Sequence, residues 1–163
     1  MEELTDKEKQ AVSTGIVIDR EKLSQVSEPI SKIDDKELFK LIDRMERIMI
    51  ANRGIGLAHV QVEPNNPKQI FVMLNPEERI ETVINPEIVK SYWQTECIPE
   101  GCLSLPDEKY YNVCRPKKIT VKYMTIRNKE LEEVETEFRG LFSIIFQHEL
   151  DHLQGKLYTD YKI

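Results

Sequence analysis

The sequence predicts an α+β fold in which mixed or antiparallel β-sheets pack around a central C-terminal helix. Three observations lead to this prediction. An amphipathic pattern with helical spacing ends near Gly54, several short segments with strand character lie between residues 69 and 138, and an apolar helical segment follows Gly140. Because the last segment is apolar on most sides, it has to be buried at the centre of the domain.

The first part of the chain is predicted to contain one long helix. Residues 1–13 are rich in charge, and we expect them to form a frayed helix or a disordered lead-in. Apolar residues then recur at helical spacing over residues 35–52, where Asp34 or Asp35 could cap the N-terminus and Gly54 ends the helix. The apolar stripe of this helix consists of Leu38, Leu41, Ile42, Met45, Ile48 and Met49.

Strand signals follow this helix. Residues 69–74 indicate a short buried strand, and residues 79–84 and 87–92 indicate two strands on either side of Asn85-Pro86. Residues 118–126 alternate in polarity, which places Ile119, Val121 and Tyr123 on one face of a strand.

The last third of the chain is predicted to form a hairpin and a buried helix. Residues 127–129 suit a hairpin turn. Residues 130–138 are ambiguous, because their glutamates favour a helix whereas a segment after such a turn fits a returning strand. Gly140 then opens a helix that Gly155 can end, and its apolar residues are Leu141, Phe142, Ile144, Ile145 and Phe146.

Length and composition indicate one domain spanning residues 1–163 and argue against several classes of protein. A formal charge of −6 argues against a nucleic-acid-binding protein. No apolar run approaches the roughly 18 residues of a membrane span, and the N-terminus lacks the apolar core of a secretory signal. Three cysteines cannot all pair, and we expect Cys97 and Cys114 to be buried free thiols. A reducing compartment, the cytoplasm, is therefore the expected location.

The run Gln147-His148-Glu149-Leu150-Asp151-His152 indicates a metal site. On a helix, positions i and i+4 lie on one face, so His148 and His152 can present two imidazoles to one cation. Glu149 lies beside the first of them, where it can accept a proton from water in the site. The alternative is a chance histidine pair, but ionisable groups in an otherwise apolar segment argue against it. Asp151, with Arg115 as its partner, could support the site, although a solvated charge is the more common role.

The third metal ligand has to come from upstream of this motif. Position 158 is Tyr where some zinc proteases have a further histidine, and Asp160 is the only side-chain carboxylate downstream of His152. Cysteine is the favoured soft ligand for a divalent metal held by imidazoles. Of the three cysteines, Cys102 has the most suggestive setting, because Gly101 allows a close backbone approach and Pro106 ends the segment.

A third segment of interest is Gly54-Ile55-Gly56-Leu57-Ala58-His59-Val60-Gln61. Its two glycines suggest that the backbone passes close to another group, and Gln61 could donate its side-chain amide to a developing oxyanion. On its own this segment is equally typical of a turn that leads into a strand.

Together the three segments resemble the peptide deformylase family. That family carries Gly-φ-Gly-Leu-Ala-x-x-Gln with an aliphatic φ, Glu-Gly-Cys-Leu-Ser, and Gln-His-Glu-x-Asp-His-Leu-x-Gly, and all three patterns occur here in that order. Residues 84–88 and 23–29 are similar to two further family segments. The resemblance implies that residues 130–138 form a strand. It also implies an enzyme that hydrolyses the formyl group from N-formyl-methionyl peptides and releases formate.

The resemblance further implies a set of roles in the site. Cys102, His148 and His152 would hold one divalent metal ion, which is expected to be Fe(II), although Zn, Ni or Co could occupy the same site. Glu149 would be the catalytic acid and base, and Gln61 and the Leu103 backbone N–H would stabilise the oxyanion. The implied substrate-binding residues, including an apolar slot for the methionine side chain, are Ile55, Gly56, Ile98, Glu100, Gly101, Leu141, Ile144 and Ile145.

The sequence departs from the family pattern at two positions and in its C-terminal part. His59 stands where the family usually has Ala, and Glu63 stands where it often has Gly. We expect His59 to be partly exposed on a strand.

The expected partner is a nascent formyl-Met peptide. Transient ribosome association is also implied, but the C-terminal helix that many bacterial members use for it does not follow Tyr161 here. Two other functions stay open: a deformylase-like protein with weak or lost activity, and a small zinc-dependent metallopeptidase.

Overall fold

The computed structural model describes residues 2–32 and 34–161 and consists of two antiparallel sheets and four α-helices. The helices are α1 (Asp6–Ser13), α2 (Arg20–Leu23), α3 (Asp35–Ala51) and α4 (Leu141–Leu153), with short 3-10 helices at His59–Gln61 and Tyr158–Tyr161. The strands are β1 (Gly56–Ala58), β2 (Ile70–Leu74), β3 (Ile80–Ser91), β4 (Thr95–Glu100), β5 (Tyr111–Pro116), β6 (Lys118–Arg127) and β7 (Glu130–Arg139). One sheet has the order β1-β2-β3-β6-β7, and β4 and β5 form a separate pair. The predicted α+β class is confirmed.

The long helix α3 starts as predicted and ends one residue differently. Asp34 caps it by accepting a hydrogen bond from the Lys36 N–H at 3.2 Å. At the other end Arg53, and not Gly54, adopts the left-handed conformation, with φ 54°. The Gly54 N–H then donates to the Met49 carbonyl at 2.9 Å, which closes the helix. This turn leads directly into β1.

The two strands predicted around Asn85-Pro86 are one strand, β3. It pairs with β2 through residues 80–84 and with β6 through residues 84–91, with register shifts on the β6 side. Asn85 has a φ of 50°, and its side-chain amide bonds both the N–H and the carbonyl of Ile30 at 2.8 Å. An irregularity of this kind bends a strand without ending it.

The hairpin of β6 and β7 confirms the predicted turn and the strand that the family resemblance implied. Asn128 and Lys129 both have positive φ, at 50° and 63°, as a two-residue type I′ turn requires. Ile119, Val121 and Tyr123 are buried on one face of β6, as the alternation predicted.

Helix α4 lies in the core, as its apolar composition predicted. Phe146 is fully buried, and its ring meets Phe71 of β2 edge-on at 5.1 Å and Phe138 of β7 at 5.6 Å between centroids. Within residues 2–32 and 34–161, no helix has both the length and the apolar character needed to cross a membrane. The remaining face of α4 carries His148, Glu149 and His152 towards β1 and the loop after β4.

Strands β4 and β5 form the hairpin that leads to Cys102, and they correct the prediction for the other two cysteines. Cys97 and Cys114 are directly opposite each other in the β4–β5 register, both are exposed, and they form a disulfide. The prediction of two buried free thiols was wrong, because the pairing depends on a register that local sequence does not reveal. Cys102 is free.

Of the two alternatives for the charged N-terminal segment, a helix forms over Asp6–Ser13, and it packs against the core; Met1 lies outside the described residues. Thr5 and Glu8 make a capping box, with the Thr5 N–H donating to Glu8 Oε2 at 2.8 Å and the Glu8 N–H to Thr5 Oγ1 at 3.1 Å. Ala11 is buried against the core beside α3. Capping and packing together order α1 despite its charge.

Candidate metal centre and active site

Helix α4 and the loop after β4 bring three candidate metal ligands together. His148 and His152 project from one face of α4, and Cys102 lies two residues beyond the end of β4. One ligand atom from each lies within 4.8 Å of the others, and Cys102 Sγ lies 3.4 Å from His152 Nε2. One sulfur and two imidazole nitrogens at this spacing suit a single divalent metal with one coordination position left open. The structure therefore brings together the three ligands that the sequence suggested.

Glu100 orients His148, a contact that the sequence did not predict. Glu100 Oε1 lies 2.8 Å from His148 Nδ1, so Nε2 of His148 is left to face a metal. Arg115 of β5 donates to both oxygens of Glu100, at 2.6 and 2.9 Å, and to Asp151 of α4 at 2.8 Å. Glu100 borders the cleft, but both of its carboxylate oxygens are taken up by these partners.

This buried network sets the protonation of its members. Burial raises the pKa of Glu100, but hydrogen bonds from His148 and Arg115 outweigh it and hold that pKa below its usual value. Burial opposes the charge of Arg115, yet Glu100 and Asp151 raise its pKa. Burial, with the charges of His148 and Arg115, lowers the pKa of His152 well below 6.5. A neutral His152 is the form that binds a metal.

Glu149 lies against β1 with one oxygen free. A Cβ at position 56 would collide with its carboxylate, so Gly56 is what allows the acid to occupy this position. Glu149 is 4% exposed, and its Oε2 has no hydrogen-bond partner among the described residues. Burial raises the pKa of Glu149 to about 7. A buried carboxyl with such a pKa next to a metal cluster is suited to general acid–base chemistry.

Gln61 is held beside Cys102 by hydrogen bonds at both ends of its amide. Its Oε1 accepts from the Ala58 N–H at 2.8 Å, and its Nε2 donates to Ser104 Oγ at 3.0 Å and lies 3.6 Å from Cys102 Sγ. Leu103 follows Cys102, and within the described part of the chain its backbone N–H donates no hydrogen bond. Both predicted oxyanion donors are therefore neighbours of the same candidate metal ligand.

A cleft of about 930 Å³ opens over these groups. Ile144 and Ile145 are buried in its wall, whereas Ile55 and Leu141 are half-exposed at its edge. Tyr110 covers Gly101, where a Cβ would collide with the tyrosine ring. The lining includes every residue that the family resemblance assigned to substrate binding, namely Ile55, Gly56, Ile98, Glu100, Gly101, Leu141, Ile144 and Ile145.

His59 is buried, and the expectation of a partly exposed strand residue was wrong. Its side chain is 5% exposed within the 3-10 helix His59–Gln61, and its Nδ1 accepts a hydrogen bond from the Lys68 N–H at 2.8 Å. Burial lowers the pKa of His59 to about 4, with Arg44 and Lys68 acting in the same direction and Glu63 against them. His59 is therefore neutral, and it has a structural role as a hydrogen-bond acceptor in the same 3-10 helix as Gln61.

Replacing His59 by glutamine is expected to reduce the loss of stability in mild acid. Below pH 6.5 the unfolded chain binds a proton at His59 that the folded chain does not accept until about pH 4. The wild type should therefore lose about 2 kcal/mol more than the variant between pH 7.5 and pH 5. Urea titrations of both proteins at the two pH values measure this difference. The contributions of the ionisable groups that both proteins contain cancel when the two losses of stability are subtracted. Equal losses in the two proteins would contradict the assignment of His59.

Two supporting residues had no firm assignment from the sequence. Ser104 is 1% exposed and positions the Gln61 amide; it is the last residue of the Glu-Gly-Cys-Leu-Ser pattern, but the pattern alone assigned it no role. Arg115 is 4% exposed and joins Glu100 to Asp151. The sequence suggested Asp151 of α4 as a partner of Arg115, and the structure contains that pair, whereas the second partner, Glu100 of β4, was not predicted.

Comparisons with known proteins agree with this geometry. Residues 15–162 match the family described as polypeptide deformylase. A peptide deformylase from Phenylobacterium zucineum is 39% identical over 155 residues, which covers 93% of this chain and 88% of the relative. The class I type b peptide deformylase from Acinetobacter baumannii has a TM-score of 0.82 and 32% identity, covering 90% of this chain and 97% of that chain. Its structure with Met-Ala-Ser bound has a TM-score of 0.79 and 31% identity, covering 90% and 96%.

Proposed function

This chain belongs to the polypeptide deformylase family, whose members remove the N-formyl group from nascent peptides, and we propose a division of roles among its site residues. Water adds to the formyl carbon, the bond from that carbon to the methionine nitrogen breaks, and formate and a free amino group are released. The residues around the cleft supply the ligands, the proton transfer, the oxyanion donors and the peptide-binding walls for this reaction.

Cys102, His148 and His152 are the proposed ligands of one divalent metal ion. When bound, the metal would polarise the formyl carbonyl and acidify a water molecule. We propose Fe(II) as the native ion, on the basis of the family. A thiolate and two imidazoles do not prefer iron by themselves, and Zn, Ni or Co fit the same donors. Metal analysis of protein purified without oxygen tests the identity of the ion.

Glu149 is the proposed carrier of the proton. Its carboxyl, whose Oε2 has no hydrogen-bond partner among the described residues, would take a proton from the attacking water and later deliver it to the departing amine nitrogen. A pKa raised to about 7 allows the same carboxyl to accept and to release a proton near neutral pH. Because Gly56 leaves space for the carboxylate, Glu149 can face both the water and the scissile bond.

Gln61 Nε2 and the Leu103 N–H are the proposed donors to the developing oxyanion. The contacts of Gln61 with Ala58 and Ser104 fix its amide before substrate arrives, so little reorganisation is needed during the reaction. Loss of one such donor typically raises the barrier by about 3 kcal/mol.

The peptide is proposed to lie as an extended strand between β1 and β4. Each of these strands ends a sheet, so each has an edge available for a further strand. Gly56 of β1 and Gly101 just after β4 face the same cleft, whose apolar wall includes Ile98, Ile144 and Ile145 and would hold the methionine side chain. The A. baumannii relative with Met-Ala-Ser bound supports a peptide starting with methionine as the occupant.

The observation that carries this proposal is the meeting of one thiol, two imidazoles and a buried carboxyl, whose Oε2 is unpaired in the described structure, at the end of a peptide-sized cleft. Iron-loaded protein, purified anaerobically, is expected to release formate from formyl-Met-Ala-Ser. Acetyl-Met-Ala-Ser should react at least about tenfold more slowly, because a tight site penalises the additional methyl group.

Two outcomes of this assay would favour the other functions. Cleavage of internal bonds in unblocked peptides, with no preference for formyl, would indicate a metallopeptidase. Inactivity towards a panel of formyl peptides, despite one bound metal per chain, would indicate a relative that has lost the activity.

We further propose that the whole chain is one catalytic domain that acts in the cytoplasm on nascent formyl-Met peptides. Thiols in that compartment are kept reduced, and the exposed Cys97–Cys114 pair would be reduced there as well. The backbone ladder between β4 and β5 holds the hairpin without the disulfide. Transient association with the ribosome is a separate proposal, which co-sedimentation of the protein with ribosomes would test.

A further inference from the structure

Helix α1 lies outside the part of the chain that matches the family, yet it forms part of the cleft. The family match begins at residue 15, whereas α1 ends at Ser13. Lys7, Gln10 and Ala11 line the same cleft as Glu149. These positions follow the i, i+3, i+4 spacing of one helix face, so a continuous face of α1 is turned towards the space for substrate.

Both ends of α1 are attached to opposite sides of the cleft mouth. At its start the Thr5 hydroxyl donates to Asp107 Oδ2, in the loop that follows Cys102. At its end the Thr14 hydroxyl donates to Asn52 Oδ1 at 3.0 Å, where α3 stops. Ala11, between these contacts, is 5% exposed. The helix therefore bridges the loop of the candidate metal ligand and the turn before β1, and its place at the mouth is fixed.

The mouth of the cleft carries positive charge that has no local partner. Lys7 and Arg53 both line the cleft and are exposed, and neither has a carboxylate within 4.0 Å in the described ranges. Among the acids nearby, Glu108 pairs with Arg20 at 2.5 Å, whereas Asp107 accepts a hydrogen bond from the Thr5 hydroxyl and keeps its charge. Lys7 and Arg53 are therefore two exposed cations of the cleft lining that have no ion-pair partner within the described ranges.

The cleft is also larger than the formyl-methionine group requires. Its volume of about 930 Å³ is at the upper end of the range for small-molecule sites. Glu149 and Ile144 are at its buried end, whereas Lys7, Arg53 and Tyr110 are exposed at its open end. A peptide with its formyl group at Glu149 that leaves the cleft at this end passes α1 and Arg53.

We propose that Lys7 and Arg53 select formyl peptides with an acidic side chain at the third or fourth residue. The proposal rests on the deformylase function above. A carboxylate side chain of the bound peptide at the mouth of the cleft would pair with either cation, whereas a lysine side chain in the same place would be repelled. Exposed ion pairs are weak and are screened by salt, so the selection is a graded preference in kcat/KM.

The test compares formyl-Met-Ala-Asp-Ala-amide with formyl-Met-Ala-Lys-Ala-amide, together with a second pair that carries the charge at the fourth residue. At low ionic strength the wild type is expected to prefer the acidic peptide of at least one pair by about fivefold, and by less than about twofold at 0.5 M salt. Lys7→Glu and Arg53→Glu should each lower this ratio, and the double variant should reverse it. Lys9→Glu makes the same charge change on α1 away from the cleft, and it should keep the wild-type ratio.

The outcomes separate this selectivity from the reaction itself. Normal formate release with equal kcat/KM for acidic and basic peptides in both pairs would overturn the selectivity and leave the deformylase function intact. A ratio that changes as much in Lys9→Glu as in Lys7→Glu would mean that overall charge is responsible and would also overturn it. No formate from any peptide would overturn both.

Discussion

Replacing Glu149 by glutamine is expected to lower kcat by about 10³-fold while the metal stays bound. The substitution keeps the size of the side chain but removes the group that accepts and returns the proton, and such groups typically contribute 10²–10⁴-fold. Glu149 is not among the three candidate metal ligands, so metal content should not fall. Formate release and metal analysis on the same sample measure both quantities.

Stability should not fall in the Glu149→Gln variant, because the carboxyl that is lost is buried with its Oε2 unpaired in the described structure. Glu130→Gln is the matched control, since Glu130 is exposed at the start of β7 and does not line the cleft. That control should retain full activity. Loss of metal from Glu149→Gln, or turnover within about tenfold of wild type, would refute the role given to Glu149.

Replacing Arg115 by methionine is expected to cost about 3–5 kcal/mol of unfolding free energy. Arg115 and Glu100 are both about 95% buried and Asp151 nearly so, so the substitution leaves two carboxylates in the interior without their cation. Because Glu100 also fixes His148, metal affinity should fall about 10–100-fold. Urea unfolding with and without added metal, together with metal titration, measures both effects.

Two variants control for the Arg115 experiment. Arg47→Met removes an exposed pair with Asp43, whose side chains are 78% and 59% exposed, and should change stability by less than about 1 kcal/mol. Adding Glu100→Gln and Asp151→Asn to Arg115→Met removes the stranded charges and should restore part of the lost stability. A loss below about 1 kcal/mol in Arg115→Met would show that solvent reaches the network and that the buried pair does not hold the site together.

The elements that the sequence predicted well are those whose cause is local. The periodic patterns of helix α3 and strand β6 can be recognised from the residues of each element alone. The β6–β7 turn requires only that Asn128 and Lys129 adopt positive φ. The pair His148 and His152 belongs to the same class, because the helix alone places them on one face.

The predictions that needed correction concern contacts between distant segments. Cys97 and Cys114 were expected to be free because nothing in their neighbourhood specifies the β4–β5 register. Nothing within residues 1–13 indicated where a helix there would dock, and its contacts, from Thr5 to Asp107 and from Thr14 to Asn52, are with distant segments. His59 looked like a polar strand residue, but the chain folds over it and supplies the Lys68 N–H as a donor.

Spacing within a helix is fixed by the geometry of the helix, so the residues alone were enough to predict one helix with two imidazoles and a carboxyl in an apolar setting. The groups that surround them depend on the tertiary fold. It brought Cys102 to His152 across fifty residues, joined Glu100 to His148 and Arg115, and placed α1 at the mouth of the cleft. Those placements depend on sheet pairing and core packing, in which the energy of each contact comes from partners far apart in the chain.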